Sequence, residues 1–249
     1  MSGHSKWHTI KHKKGAADAK RGKVFTRIIK ELTVAARNGG GDPDTNPRLR
    51  TIIAEAKSVN MPADNIKRAV QRGTGELPGV SYDEITYEAY GPGGVAIMIE
   101  TLTDNKNRTV GEVRHVLTKH GGNLGANGCV AYLFEKKGVA LFDAASVDLD
   151  ALMEAALEAG ADDVVESGAS IEVVTAPGSL NAVVSDLAGK GFEPAESSIT
   201  MEASTKVSLA GSQAESMLRV ADALEDLDDV QNVYANFDIS DEEMQRIAG

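Results

Sequence analysis

The chain has 249 residues, 42% of them hydrophobic and 25% charged, with one cysteine and a formal net charge of −11. That length and mixture suit two or three packed domains rather than disorder, and a single Cys129 excludes an intrachain disulfide framework or a thiolate metal cage. The net charge hides an asymmetry: residues 1–72 hold sixteen of the 26 Lys and Arg but six of the 37 Asp and Glu, a local +10, leaving −21 for the rest.

The chain opens on Met-Ser-Gly-His-Ser-Lys-Trp, with no apolar core of a signal peptide and no apolar run of membrane-spanning length, so a soluble, cytoplasmic protein is expected. Residues 1–15 mix Lys6, Lys11, Lys13 and Lys14 with His4, His8, His12 and Trp7. With no apolar periodicity, this arm reads either as a frayed terminus or as a segment that meets a polyanion. The histidine spacing would align three imidazoles on a helix, but the interleaved lysines repel a cation, so no metal is expected.

A helix is predicted over 16–38, with Phe25, Ile28, Ile29, Leu32, Ala35 and Ala36 on one face. Lys20, Lys23, Arg27, Lys30 and Arg37 fall opposite. Only Asp18 and Glu31 dilute that charge, so the face repels itself unless something anionic meets it.

Gly39-Gly40-Gly41-Asp42-Pro43 ends the helix, and Asn46-Pro47 caps a second one buried through Leu49, Ile52, Ile53, Ala56 and Val59. A third starts at Pro62, packs through Ile66, Ala69 and Val70, and exposes Lys67, Arg68, Gln71 and Arg72 before Gly73 stops it. A helix-turn-helix reader and a three-helix bundle that grips phosphates without reading bases both fit this pattern.

Beyond a 73–79 linker, Ile85, Tyr87 and Ala89 alternate with polar residues, and Gly91-Pro92-Gly93-Gly94 turns into a strand over 95–102. That glycine cluster joins two strands and precedes no helix, so it is a turn rather than a phosphate loop. A helix after residues 103–109 buries Val110, Val113, Val116 and Leu117. Lys106, Arg108, Arg114 and Lys119 there are either solvated and capping residues or a secondary anion contact. A strand over 130–135 is expected next.

The stretch 138–204 reads strand, helix, strand, strand, helix, strand, and contains thirteen acids against Lys190 alone. A strand at 206–209, a helix at 213–227 and a strand at 230–237 close the chain. These would complete the sheet begun at residue 80.

Several of these segments carry a resemblance. Gly3-His4-Ser5-Lys6-Trp7, Ile10-Lys11, the Asp18…Arg21…Lys23…Phe25 run and Asn60-Met61-Pro62…Asn65-Ile66…Arg68-Ala69 are similar to the YebC/PmpR family. So are Gly91-Pro92-Gly93-Gly94-Val95-Ala96, the 103–109 run Thr-Asp-Asn-Lys-Asn-Arg-Thr and Gly121-Gly122-Asn123-Leu124-Gly125. Cys129 stands where that family frequently has Ser, which changes little at a buried strand start. The resemblance implies a helical N-terminal domain followed by two ferredoxin-like α/β domains. It also implies a probable transcriptional regulator that binds DNA; mitochondrial relatives are described as translational activators, and bacterial members are linked to relief of stalled ribosomes.

The combined expectation is an α+β protein of three parts: a basic helical nucleic-acid-binding domain at 1–75, a discontinuous α/β domain at 80–136 plus 205–240, and an inserted acidic ferredoxin-like domain at 137–204. Lys6, Lys11, Lys13, Lys14, Lys20, Arg21, Lys23, Arg27, Lys30, Lys67, Arg68 and Arg72 would contact phosphates, with Trp7 stacking on a base. Six neutralised phosphates would give a slope of log K against log salt of about −5 on duplex DNA.

A Cys129 nucleophile with His115 or His120 as base has no supporting spacing, and no nucleotide-binding or zinc-protease motif is present, so a non-enzymatic protein with no cofactor is expected. DNA and structured RNA or the ribosome both remain open as partners. A third reading is a scaffold that binds basic proteins through the acidic domain.

Overall fold

An apolar stripe at three- and four-residue spacing explains the first element. In this computed structural model, which describes residues 17–167 and 170–248, it forms α1 (Ala17–Gly39). Ile28, Leu32, Ala35 and Ala36 pack against Leu49, Ile52 and Ala56 of α2 (Pro47–Ser58) and against Ile66 and Ala69 of α3 (Ala63–Thr74). Each fully buried Leu or Ile contributes about 1.5–3 kcal/mol to this core.

Asn46 joins the first two helices. Its side-chain oxygen accepts from the Leu49 amide at 3.1 Å, capping α2, while its Nδ2 donates to the Ala35 and Gly40 carbonyls at 2.9 and 2.8 Å. Gly73 does not stop the third helix, as the sequence reading expects. It lies inside α3, where a Cβ would run into the Thr33 carbonyl oxygen of α1, and the left-handed Gly75 (φ +84°) ends the helix. The backbone approach between α1 and α3 requires this glycine.

After residue 82 the period changes from helix to strand. β1 (Asp83–Tyr90) and β2 (Ala96–Thr103) form an antiparallel hairpin, with Asp83 opposite Thr103 and Tyr90 opposite Ala96. A short 3-10 turn over Pro92–Gly94 joins them, with Gly93 and Gly94 at positive φ. α4 (Lys106–Lys119) and the two-residue β3 (Asn123–Leu124) follow.

The strand expected over 130–135 begins only at Phe134. Val130–Leu133 belongs to a 3-10 turn, because the Glu88 carboxylate accepts from the backbone amides of Gly128, Val130 and Ala131 at 2.6–2.8 Å. Those amides are taken by a side chain, so no ladder forms there.

β4 (Phe134–Asp143) starts a second sheet, followed by α5 (Leu149–Glu158), β5 (Asp163–Ser167), β6 (Ser170–Thr175), α6 (Leu180–Gly189) and β7 (Glu196–Ala203). Its order is β5-β6-β4-β7 with every neighbouring pair antiparallel, the arrangement of a split βαβ unit. Phe142, Ile171, Val173, Leu152 and Leu187 fill the layer between this sheet and its two helices.

The chain then returns through β8 (Val207–Ser208), α7 (Gly211–Glu225), β9 (Val230–Ala235), β10 (Phe237–Asp238) and α8 (Asp241–Ala248). The last helix has no counterpart in the sequence reading; its Met244 is buried in the core beneath α7. β9 pairs with β2, making the first sheet β3-β1-β2-β9, while β8 pairs in parallel with β10. α4 and α7 cover one face of the first sheet over Ile97, Ile99, Val113, Leu117, Met217 and Leu224. Ala96 and Met98 on the opposite face meet Val130, Phe134 and Met201, tying the two sheets together. Among the described residues no helix is long and apolar enough to cross a membrane.

Candidate nucleic-acid interface

The polar face of α1 does not look outward. Lys30 is 7% exposed, and its ammonium donates to the Asp229 carboxylate at 2.8 Å and to the carbonyls of Asp228 and Leu102 at 2.8 and 3.3 Å. Arg27 donates to the Gln231 carbonyl at 3.2 Å and to Glu55 at 3.4 Å; Lys23 lies 3.3 Å from Asp226. These three side chains, expected to contact phosphates, here hold α1 against the turn between α7 and β9 and the start of β9. A helix with an apolar stripe on one side and a cationic stripe on the other is here covered on both.

Asp229 is the centre of this seam. Besides Lys30 it receives Arg108 at 2.6 Å, Thr109 at 2.7 Å and Thr103 at 3.1 Å. Burial alone would raise its carboxyl, but the bonds from Lys30, Arg108 and Thr109 hold its pKa near about 2. Arg108 is therefore a tie within the first-sheet unit, shared between Asp229 and Asp104, that holds Asp229 in place for Lys30; Asp229 in turn raises its pKa. The 103–109 segment supplies the hydroxyls and the guanidinium of this node, while Asn105 caps α4 through the Arg108 amide.

Further along α1, Arg37 donates to the Ser81 hydroxyl at 2.6 Å and to the Tyr82 carbonyl at 2.7 Å, fixing the linker. Arg48 of α2 pairs with Glu84 of β1 at 2.8 Å. Between these contacts lies an acid-rich seam in which burial, then Glu55, push Glu31 up to about 7 against the opposing pull of Arg27 and Arg48. Tyr234, beside Glu100, is raised as well, again mainly by burial.

The remaining candidates divide clearly. Lys67 and Arg72 are exposed on α3 and pair with no carboxylate among the described residues. Arg68 pairs with Asp64 one turn earlier at 2.8 Å, an exposed pair that costs little to break. Arg114 and Lys119 are exposed on α4 without a described acid partner, whereas Lys106 lies 3.4 Å from Asp83. Lys20 and Arg21 belong to the opening turns of α1. Lys6, Trp7, Lys11, Lys13 and Lys14 lie outside the described residues, as do His4, His8 and His12.

Two cations were missed by the sequence reading. Arg50 and Lys57 are exposed on α2 seven residues apart, hence on one helical face, and neither has a described acid partner. Their spacing was the available signal. Among the described residues, the exposed cations without an acid partner thus include Arg50, Lys57, Lys67 and Arg72 on the outside of α2 and α3, with Arg114 and Lys119 on α4.

Comparisons with known proteins agree along the whole length. A family model described as the TACO1/YebC protein N-terminal domain matches residues 5–76, and one described as the TACO1/YebC second and third domain matches residues 82–237. A relative from Trichlorobacter lovleyi is 62% identical over 99% of this chain and 100% of its own, and one from Syntrophus aciditrophicus is 58% identical over the full length of both. Each is named a probable transcriptional regulatory protein. The crystal structure of a conserved hypothetical protein from Aquifex aeolicus superposes with a TM-score of 0.81 at 48% identity, covering 90% of this chain and 93% of that one.

Proposed function

This chain belongs to the TACO1/YebC family, and from that premise we propose that it is a nucleic-acid-binding regulator of gene expression with no chemical step of its own. The observation that carries the reading is the contrast within one helical unit. Lys23, Arg27 and Lys30 of α1 are paired with carboxylates, while Arg50, Lys57, Lys67 and Arg72 stay exposed without a carboxylate among the described residues. Unpaired cations of one sign on adjacent helices favour a polyphosphate backbone, and the lysines ahead of α1 extend the same charge.

The relatives' names favour DNA and transcription as the setting. A second reading, RNA on the ribosome, is favoured by the charge of residues 138–204, where thirteen acids face one lysine. Such a body is repelled by a duplex running alongside it but suits a site surrounded by basic proteins.

Equilibrium binding of the full chain to duplex DNA and to a hairpin RNA, titrated with salt, tests the proposal. The four α2 and α3 cations alone would give a slope of about −3 to −4 in log K against log salt on a duplex. A salt-independent affinity, or no affinity for either polymer, removes it. Crosslinking in cells followed by sequencing separates the settings: promoter DNA supports the first, ribosomal or transfer RNA the second.

A further inference from the structure

We propose that the cleft where α1, α3 and the 75–82 linker meet holds one unpaired nucleotide of an RNA strand, with its base against Tyr82 and its phosphate on Arg72. The inference rests on the nucleic-acid reading above and deepens it.

The cleft measures about 290 Å³ and is walled by Ile29 and Thr33 of α1, Arg72 of α3, and Pro78, Val80 and Tyr82 of the linker. That is near the lower end of the ~300–1,000 Å³ range of ligand pockets, large enough for one planar ring system. Its walls mix apolar and polar surface in about equal parts, and it is open: Val80 is 53% exposed. Thr33 brings no spare polarity, because its hydroxyl already donates within the helical unit.

The two side chains that carry the chemistry are held in place. Arg37 pins the linker through the Ser81 hydroxyl and the Tyr82 carbonyl, and the Lys30 ammonium lies 5.7 Å from the centroid of the Tyr82 ring. Lys30 is itself locked to Asp229, so the ring rests on a fixed, buried cation. On the other wall, Gly79 lies directly against the Arg72 stem; a Cβ there would approach Arg72 Cβ and Cγ to 3.1 Å. Arg72 is exposed and, unlike Arg48, Arg68 and Arg108, has no carboxylate partner among the described residues.

A flat aromatic wall beside an uncommitted guanidinium fits a ligand that is planar and apolar at one end and anionic at the other. A nucleotide has that composition, with stacking on the ring and a forked pair of N–H bonds to phosphate. A base stacked inside a duplex cannot reach such a cleft, whereas the unpaired bases of RNA loops are splayed out and available.

The test compares full-length wild type with Tyr82→Leu, Tyr82→Phe and Val80→Glu. The probes are a fluorescein-labelled RNA hairpin with an unpaired loop, a fully paired RNA duplex and a DNA hairpin of the same sequence. Tyr82→Leu and Val80→Glu should each raise the hairpin Kd at least about fivefold, the lower limit for one stacked base. Duplex affinity should change less than about twofold, and Tyr82→Phe should behave as wild type. Photocrosslinking from a 4-thiouridine loop should label the tryptic peptide 73–106.

Hairpin binding unchanged in both Tyr82→Leu and Val80→Glu, or loop crosslinks confined to other peptides, overturns the cleft assignment and leaves the wider reading standing. Tighter Tyr82-dependent binding of the DNA hairpin overturns the assignment to RNA. Wild type that binds none of the probes removes the wider reading itself.

Discussion

The Lys30 ammonium and the Asp229 carboxylate meet at 2.8 Å across the seam between the helical unit and the first sheet, both more than nine-tenths buried and 199 residues apart in the chain. Neither group is left partly satisfied: Lys30 reaches three oxygens, and Asp229 receives four side-chain donors. Their separation in sequence makes the pair a device for fixing how the two units sit against each other.

Removing one partner of that pair should be severe. Asp229→Ala leaves the buried Lys30 ammonium with no carboxylate and is expected to cost about 3–5 kcal/mol in urea denaturation; Lys30→Ala, which leaves Asp229 paired with Arg108, should cost somewhat less. The double substitution Lys30→Met with Asp229→Leu should recover much of the loss. If the single variants lose less than about 1 kcal/mol, the pair does not hold the seam.

The same node predicts acid sensitivity with a definite sign. Asp229 is held near about 2, below its ordinary value of 3.8, so its ionised form stabilises the fold. That contribution, about 2 kcal/mol, is fully present above pH 4 and is lost as pH falls toward 2. The Asp229→Asn variant should lack this dependence, read as the change of melting temperature between pH 4.5 and 2.5.

Glu31 works in the opposite sense. Its pKa is raised from 4.5 to about 7, mainly by burial and then by Glu55, so its ionised form opposes the fold. Stability should fall by up to about 3 kcal/mol, before solvent screening, as pH rises from 4.5 through 7. Glu31→Gln should therefore raise the melting temperature at pH 8 and leave it unchanged near pH 4. A destabilised Glu31→Gln protein at pH 8 would contradict this.

Two helical glycines should respond with opposite signs to the same substitution. Gly73→Ala drives a methyl into the Thr33 carbonyl and the Ala36 side chain, so it is expected to cost about 1–3 kcal/mol. Gly111, in the middle of α4, has open space around it, and Gly111→Ala should stabilise by up to about 1 kcal/mol. Thermal melts of both variants check the pair together.

Charge reversals should separate docking cations from surface cations. Lys57→Glu and Lys67→Glu, both exposed, should lower the salt slope of duplex binding by about one each while leaving the melting temperature within a few degrees. Lys23→Glu, facing Asp226, should instead lower stability more than it alters the slope. Equal slopes in all three variants would contradict that division.

Helix and strand periodicity in the sequence was enough to place α1, α2, α3, the β1–β2 hairpin and the alternating elements of the second sheet, because each rests on local spacing of apolar residues and on caps such as Asn46. It failed at Val130–Leu133, where apolar spacing suggests a strand but the Glu88 carboxylate, some forty residues earlier, takes the amides a ladder needs. It also missed α8, whose eight residues commit only Met244 and, partly buried, Ile247 to the core.

Charge asymmetry, family membership and most of the fold thus come from the residues alone, since they depend on composition and near neighbours. Which cations are free does not. A cationic helix face that will meet phosphate and one that will meet protein carry the same pattern. Only the approach of Asp226 and Asp229 from the far end of the chain decides that Lys23 and Lys30 are neutralised at home while Arg50, Lys57, Lys67 and Arg72 are exposed with no acid partner among the described residues. Ion pairing acts through space, so it is settled by tertiary contact rather than by order along the chain.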